Sequence, residues 1–313
     1  MKTAIVMITD ENYLPAACCS VISCRRAGRA TDPVFLAVVD VSDDSVRAAW
    51  RFLRDRRAEA QIIQFHPSAS AYRTDRWISS AAYARLHLDE MLGSEWDRVL
   101  YLDADTRVLV PLAPLLQADL DGRVLGAAYQ YLRLSDQVQR EKPDLERLSM
   151  AADSRIFNSG VLLFDWPAVL SSGLLAQSRR FATENPHLCK MWDQDALNKV
   201  FDGLWTPLNP RWNFGNKLAK ALPRERAFIK HYSNRSKPWG SEKVPFWLVD
   251  AFWYWRIMRK SPWPDFARPI KLLDVREGLQ WLYRIYVAER PSYRLSDDGL
   301  KLECVPRTGR LRA

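Results

Sequence analysis

Short apolar runs and helix-spaced apolar positions alternate along the first third of the chain. TAIVMIT (3–9), VFLAVVD (34–40), AQIIQF (60–65) and RVLYLD (98–103) are the runs. Each is bounded by polar residues and too short for a buried helix, so each predicts a strand. Between them, a helical stretch is predicted from about Leu14 to Ala27. Val46, Trp50 and Leu53 then recur at helical spacing, and AAYARLHLDEML (81–92) predicts a further helix. Strands alternating with helices imply βαβ units and a mostly parallel sheet, an α/β fold. In such sheets ligands bind beyond the carboxyl ends of the strands. Acids stand at those ends here: Asp10, Asp40 and the pair Asp103 and Asp105.

The pattern changes in the second half. VLGAAYQ (124–130) predicts a strand, and the polar segment from Arg133 to Arg155 is long for a loop, as functional loops often are. RIFNSGVLLFDW (155–166) predicts a strand around Gly160. DQDALNKVF (193–201) predicts a helix start, with acids in its first turn and Leu197, Val200 and Phe201 on one face. From Val244 the chain turns aromatic and basic. We therefore expect an α/β unit over residues 1–243 and a helical, Trp-rich extension over 244–313.

Composition bounds the chemistry. A chain of 313 residues with 48% apolar residues can bury a substantial core. Net charge is +9, and residues 244–313 carry 13 Lys/Arg against 8 Asp/Glu, an excess suited to phosphate-rich partners. Five cysteines without a C-x-x-C pair fit a reducing compartment and exclude a thiolate zinc site. The opening apolar run is too short for a signal peptide, and no stretch approaches the roughly 20 apolar residues that span a bilayer. The expectation is a cytoplasmic protein, peripheral to a membrane at most. No recognised nucleic-acid motif accompanies the basic charge.

Asp103 and Asp105 admit three roles: capping a turn, acting as a phosphatase nucleophile with its acid/base partner, or holding a metal. The D-x-D-x-T lettering resembles haloacid-dehalogenase-type phosphatases. Those carry the motif on the first strand and a downstream Gly-Asp pair, and no Gly-Asp dipeptide follows here. His231 stands in HYSNRSKPW (231–239), either as a structural histidine or as a ligand. An imidazole, two carboxylates and phosphate oxygens would make a mixed octahedral site suited to Mn²⁺ or Mg²⁺. Lys237 could then bind a phosphate as a point charge. FNSG (157–160) is either a turn or a place where Asn158 bonds a polyol and Gly160 permits close approach. Asp193 or Asp195 could cap the helix at DQD, with Gln194 facing the site. Asp10 either caps its turn or meets a nucleoside.

The order D-x-D, FNSG, DQD and H-x5-KPW is more specific than any member. Together with ITDENY, AAYARL, VLYLDADTRVL, LGAAYQ, FNSGVLLFD and WDQDALN, it resembles glycosyltransferase family 8 over roughly residues 3 to 240. That family includes glycogenin and bacterial lipopolysaccharide α-galactosyl- and α-glucosyltransferases. The resemblance implies a GT-A fold, with a Rossmann-like mixed sheet, a UDP-sugar donor, Mn²⁺ and retention at the sugar's C1. It implies that Asp103, Asp105 and His231 hold the metal. It also implies that Asp10, Asn12 and Lys237 meet the nucleotide. Arg85, Ala104, Gln130, Asn158, Ser159, Asp193 and Gln194 complete the donor site by the same resemblance.

Two departures stand out. Asn234 occupies a position where the family loop usually has Gly, and Asn tolerates a left-handed backbone better than most residues. Gln130 stands where the family's bacterial galactosyltransferases carry Asp, which leaves the donor hexose open between glucose and galactose. No glutamate stands in the motifs as a nucleophile. The expected mechanism is same-face attack, with Gln194 or Asp193 steadying a cation-like transition state and a glycan or lipid-linked glycan as acceptor. The segment VPFWLVDAFWYWRIMRKSPWP (244–264) is either an aromatic helix packed on the catalytic domain or an interfacial anchor on anionic lipid.

Overall fold

The four early runs do become parallel strands, and burial of the inner ones explains why those lack alternation. In the computed structural model, β1 (Thr3–Thr9) and β2 (Val34–Val39) are buried at every position. Strands covered on both faces read as continuous apolar runs. The described residues are 1–66, 72, 80–131, 142–222, 225–233, 236–240, 248–269, 272–283, 293–297 and 299–304.

Helix α1 (Leu14–Arg26) follows β1, and α2 (Asp43–Asp55) follows β2. Ser42 caps α2 by accepting the Ser45 N–H at 3.3 Å. Next come β3 (Gln61–Phe65), a 3₁₀ helix (Ser80–His87), the short α3 (Leu88–Met91) and β4 (Arg98–Asp103). The chain continues through β5 (Thr106–Val108), α4 (Ala113–Leu116), β6 (Leu125–Tyr129), α5 (Lys142–Arg147) and β7 (Phe157–Asp165). Helices α6 (Trp166–Ser172), α7 (Leu174–Glu184) and α8 (Asp193–Val200) precede β8 (Trp205–Pro207) and β9 (Phe214–Gly215). Helix α9 (Asn216–Ala221), β10 (Ile229–His231), α10 (Leu248–Met258), α11 (Leu272–Tyr283) and the hairpin β11 (Tyr293–Leu295) and β12 (Leu302–Cys304) complete the order.

The main sheet runs β3-β2-β1-β4-β7-β6-β8. Strands β3, β2, β1 and β4 are mutually parallel neighbours, whereas β7 is antiparallel to both β4 and β6. Successive residues of β1 feed opposite faces. Ile5 and Met7 join one core with α1 and α2, and Ala4, Val6 and Ile8 join a second with the 3₁₀ helix and α6 to α8. A smaller sheet, β5-β10-β9, projects from the end of β4.

Three local expectations need correction. Residues 81–92 do not form one α-helix: residues 80–87 wind as 3₁₀ and only Leu88–Met91 are α-helical, a difference that one or two apolar repeats cannot reveal. Neither Asp193 nor Asp195 caps α8, because Trp192 occupies the N-cap at φ 54° and makes no side-chain cap. Asp195 instead accepts the Met191 N–H at 2.7 Å and pairs with Arg147 at 2.9 Å. The polar segment 133–155 contains α5, whose Leu145 packs with Leu148 and Ile156. Residues 132–141, and Asn234 in the histidine loop, lie outside the described residues.

Beyond residue 243, Tyr254, Ile257 and Met258 of α10 are buried in the α1-side core. Val249 and Phe252 of the same helix are exposed. Among the described residues no helix is long and apolar enough to cross a membrane. Cys18, Cys19, Cys24 and Cys189 are buried and unbridged.

Candidate active site

Asp103 ends β4, and a tight turn returns the chain through Asp105 into β5. Strand β10 pairs antiparallel with β5, setting His231 opposite Thr106. That register delivers the imidazole to the acids: Nε2 lies 3.2 Å from Asp103 Oδ2 and 3.3 Å from Asp105 Oδ1. One donor atom from each residue falls within 4.8 Å of the others.

The histidine is oriented from behind. Its Nδ1 lies 2.8 Å from Asn213 Oδ1, and Asn213 Nδ2 donates to Asn158 Oδ1 at 2.7 Å. With the amide so oriented, Nδ1 carries a hydrogen toward Asn213, and Nε2 is the ring atom turned toward the carboxylates, whose proton a cation would replace. Burial would lower the His231 pKa, but Asp105 and Asp103 raise it to about 9. The three groups thus favour positive charge at their centre. Two carboxylates and one imidazole nitrogen are a donor set that fits a divalent cation.

Gly160 keeps this centre open. A Cβ there would sit 2.2 Å from His231 Cε1 and 2.8 Å from Asp103 Oδ2. The absence of a side chain there therefore leaves room for the two ligating side chains.

Arg85, on the 3₁₀ helix, gathers four groups. Its guanidinium reaches Asp103 at 3.0 Å, Asp193 at 2.9 Å, and the Ser159 carbonyl and hydroxyl at 2.7 and 3.1 Å. It also lies over the Tyr101 ring. Burial opposes ionisation of Asp103, but Arg85 and His231 outweigh it and hold that carboxyl below its ordinary range. Burial likewise opposes the charge on Asp105, and the Lys237 ammonium at 2.6 Å with His231 holds it well below. Lys237 also donates to the Tyr232 carbonyl. Asp193 differs: burial raises it to about 7, partly countered by Arg85.

A row of carboxamides continues from the centre. Gln194 Oε1 accepts the Ser159 N–H and Asn158 Nδ2, both at 3.2 Å. Asn158 Nδ2 also donates to Gln130 Oε1 at 2.7 Å, and its Oδ1 accepts the Gly160 N–H at 3.0 Å.

Asp10, Arg85, Asp103, Ala104, Asp105, Asn158, Ser159, Asp193, Gln194, His231 and Lys237 all line one cavity of about 250 Å³. Asp10 also accepts the Tyr13 N–H at 3.0 Å, so it caps its turn while facing the cavity. Gln130 lines an adjoining cavity of about 290 Å³, which shares Asn158, Met191, His231 and Ser233 with the first. Asn12 is exposed and lines neither. Tyr13 and Asn213 were missed by the sequence reading. Tyr13 stands beside Asp10 in DENYLP, whereas nothing in PRWN marks Asn213.

Comparison with known proteins gives concordant matches. The model described as Glycosyl transferase family 8 matches residues 4–243. General stress protein A of Bacillus subtilis (strain 168) is 26% identical over 209 residues, covering 61% of this chain and 69% of its own. Lipopolysaccharide 1,2-glucosyltransferase of Escherichia coli (strain K12) is 25% identical over 278 residues, 82% of this chain and 77% of its own. An active-site mutant of LgtC superposes at TM-score 0.66 with 26% identity, covering 76% of this chain and 90% of that one. The galactosyltransferase LgtC with donor and acceptor sugar analogs superposes at TM-score 0.68 with 24% identity, covering 88% and 99%.

Proposed function

The chain belongs to glycosyl transferase family 8, a hexosyltransferase with the GT-A fold, and from that premise we propose which transfer it performs. It moves glucose or galactose from a UDP-sugar to a glycan acceptor of lipopolysaccharide type, with Mn²⁺ and with retention at C1. Mg²⁺ is the alternative cation. The observation that carries this reading is the convergence of Asp103, Asp105, His231 and Lys237 on one cavity at the carboxyl ends of β1 and β4. The E. coli relative, named as a lipopolysaccharide 1,2-glucosyltransferase, supports the acceptor class.

Glycosyl transfer requires stabilising a diphosphate whose charge grows as the C1–O bond breaks. A divalent cation held by Asp103, Asp105 and His231 would neutralise part of that charge. Lys237, 2.6 Å from Asp105, adds a fixed positive charge beside the leaving group. Asp10 contacts the nucleotide, with Asn12 at the rim. Arg85 holds Asp103 and Asp193 in register with the Ser159 backbone.

Retention follows from attack on the face that the diphosphate leaves. The acceptor's proton passes to the departing phosphate oxygen, while Gln194 and Asp193 steady the cation-like sugar. Asp193 is buried in an ion pair with Arg85, which suits an electrostatic role better than nucleophilic attack. Trapping a covalent sugar adduct on Asp193 would contradict this mechanism. The function is tested by measuring UDP release from a panel of UDP-sugars with Mn²⁺ and with EDTA. Mn²⁺-dependent release from UDP-glucose or UDP-galactose is expected. Its absence with every donor and acceptor would favour a nucleotide-sugar-binding role instead.

Residues 244–313 extend this reading to a peripheral contact with anionic lipid at the cytoplasmic face of the inner membrane. Val249, Phe252, Leu279 and Tyr283 are exposed on α10 and α11, and Arg256, Arg259 and Lys260 are exposed along and just after α10. Flotation with anionic liposomes should be lost on deletion from residue 244; flotation of the shortened chain would reject the contact.

A further inference from the structure

The ribbon that carries two of the three cation ligands is held from its far side by one buried carboxylate. Strands β5 and β10 pair so that Lys230 lies directly opposite Arg107. Like charges opposite each other on neighbouring strands repel. Both cations are satisfied by Asp250 of α10: Oδ1 lies 2.6 Å from Arg107 Nη1, and Oδ2 lies 2.7 Å from Lys230 Nζ. Asp250 has no solvent exposure. The neighbours of this pair are the site itself. His231 follows Lys230, and Asp105 lies two residues before Arg107, with the Asp105 carbonyl accepting the Tyr232 N–H at 3.0 Å.

Helix α10 reinforces the same place with rings. Trp253 lies under the Arg107 guanidinium at 4.3 Å. Tyr254 contacts Tyr232 and Trp239, with ring centroids 5.8 and 4.7 Å apart, at the two ends of the loop that carries Lys237. On its other side the ribbon is tied to α1: Ser20 Oγ lies 2.8 Å from Thr106 Oγ1, and Val108 N–H donates to Ser23 Oγ at 2.9 Å. The tie to α10 differs in kind, because it balances two charges with one group.

We propose that Asp250 is a positioning residue for the cation site, acting through Arg107 and Lys230 to fix the β5–β10 register that brings Asp105 and His231 together. The inference rests on the glycosyl-transfer reading only in taking that triad as a cation site. It makes the extension part of the catalytic apparatus, since the helix beyond residue 243 supplies the group. A neutral side chain at 250 removes the buried charge that the two facing cations share, and the ribbon relaxes by separating them. Ligating atoms need placement within about 0.5 Å, so a modest relaxation suffices to weaken the site.

The test is Mn²⁺ binding to the full chain, titrated by the electron paramagnetic resonance signal of free Mn²⁺. Asp250→Asn should bind Mn²⁺ about 10- to 100-fold more weakly, the range found when groups behind metal ligands are removed. Phe164→Leu, at the end of β7 away from the site, is the control for general destabilisation and should bind as the wild type does. Wild-type affinity in folded D250N, or equal weakening in the control at matched melting temperature, overturns the proposal. Should D250N fail to fold, Asp250→Glu keeps the charge but displaces the carboxylate by one methylene. It should weaken Mn²⁺ binding several-fold, and unchanged affinity would count against the proposal. If the wild-type chain binds no Mn²⁺, the cation reading of the triad falls, and this inference with it.

Discussion

Gly160→Ala tests the geometry of the site with the smallest possible change. Gly160 is not among the glycines with positive φ, so alanine meets no backbone strain there. Space is the whole difference. The new methyl would sit 2.2 Å from His231 Cε1, 2.6 Å from Nδ1 and 2.8 Å from Asp103 Oδ2. Carbon atoms rest about 3.5–4.0 Å apart, so the ring must retreat by roughly 1.3 Å or more. It cannot do so freely, because Nδ1 is tied to Asn213 and the residue is buried. Overpacking of this kind costs about 1–3 kcal/mol. In a chain of this size that lowers the melting temperature by roughly 1.5 °C per kcal/mol. Function should suffer more than stability, since a displacement of about 1 Å at a reacting centre can cost on the order of 10²-fold in rate. Mn²⁺ titration and Mn²⁺-dependent UDP release, read beside a thermal melt, measure the two effects. A G160A chain with wild-type Mn²⁺ affinity and turnover would refute the argument that this glycine makes room for the ligands.

Other substitutions probe separate parts of the site. Lys237→Met should lower kcat by about 10²- to 10³-fold, as loss of one electrostatic donor does, while Mn²⁺ binding persists; unchanged kcat would remove Lys237 from leaving-group stabilisation. Arg85→Lys cannot span Asp103, Asp193 and Ser159 with a single ammonium, and should lower kcat/KM by about 10- to 100-fold. Parity with the wild type in the UDP-release assay would mean that the fork is dispensable. Gln130→Asp retains an acceptor for Asn158 and should shift the ratio of kcat/KM between UDP-glucose and UDP-galactose. An unchanged ratio would show that residue 130 does not read the donor.

The inner parallel strands β1, β2 and β4 were legible because burial on both faces writes itself as uninterrupted apolar runs, and the carboxyl ends of β1 and β4 located Asp10, Asp103 and Asp105. Direction was not legible: FNSGVLLFD predicts a strand, but nothing in its pattern makes β7 antiparallel to β4. His231 and Lys237 were found through the order of motifs in a family resemblance. No local periodicity marks a three-residue strand such as β10. The 3₁₀ winding around Arg85 was hidden because eight residues hold too few repeats to separate a period of 3.0 from 3.6. Asn213 and Asp250 escaped notice for a shared reason. Each acts on the site through another residue, over 18 positions to His231 in one case and 143 to Arg107 in the other. An acid inside LVDAFWYWRIM looks like a solvated break in an aromatic helix, yet it is fully buried.

The central claim is that Asp103, Asp105 and His231 share one cation that in turn holds the diphosphate of the donor. Anomalous diffraction from crystals grown with Mn²⁺ and UDP tests it directly. The account predicts a manganese peak bonded to Asp103, Asp105 and His231 Nε2, with diphosphate oxygens completing its coordination beside Lys237. Ordered UDP in the cavity with no manganese at the triad, or manganese bound only elsewhere, would contradict it.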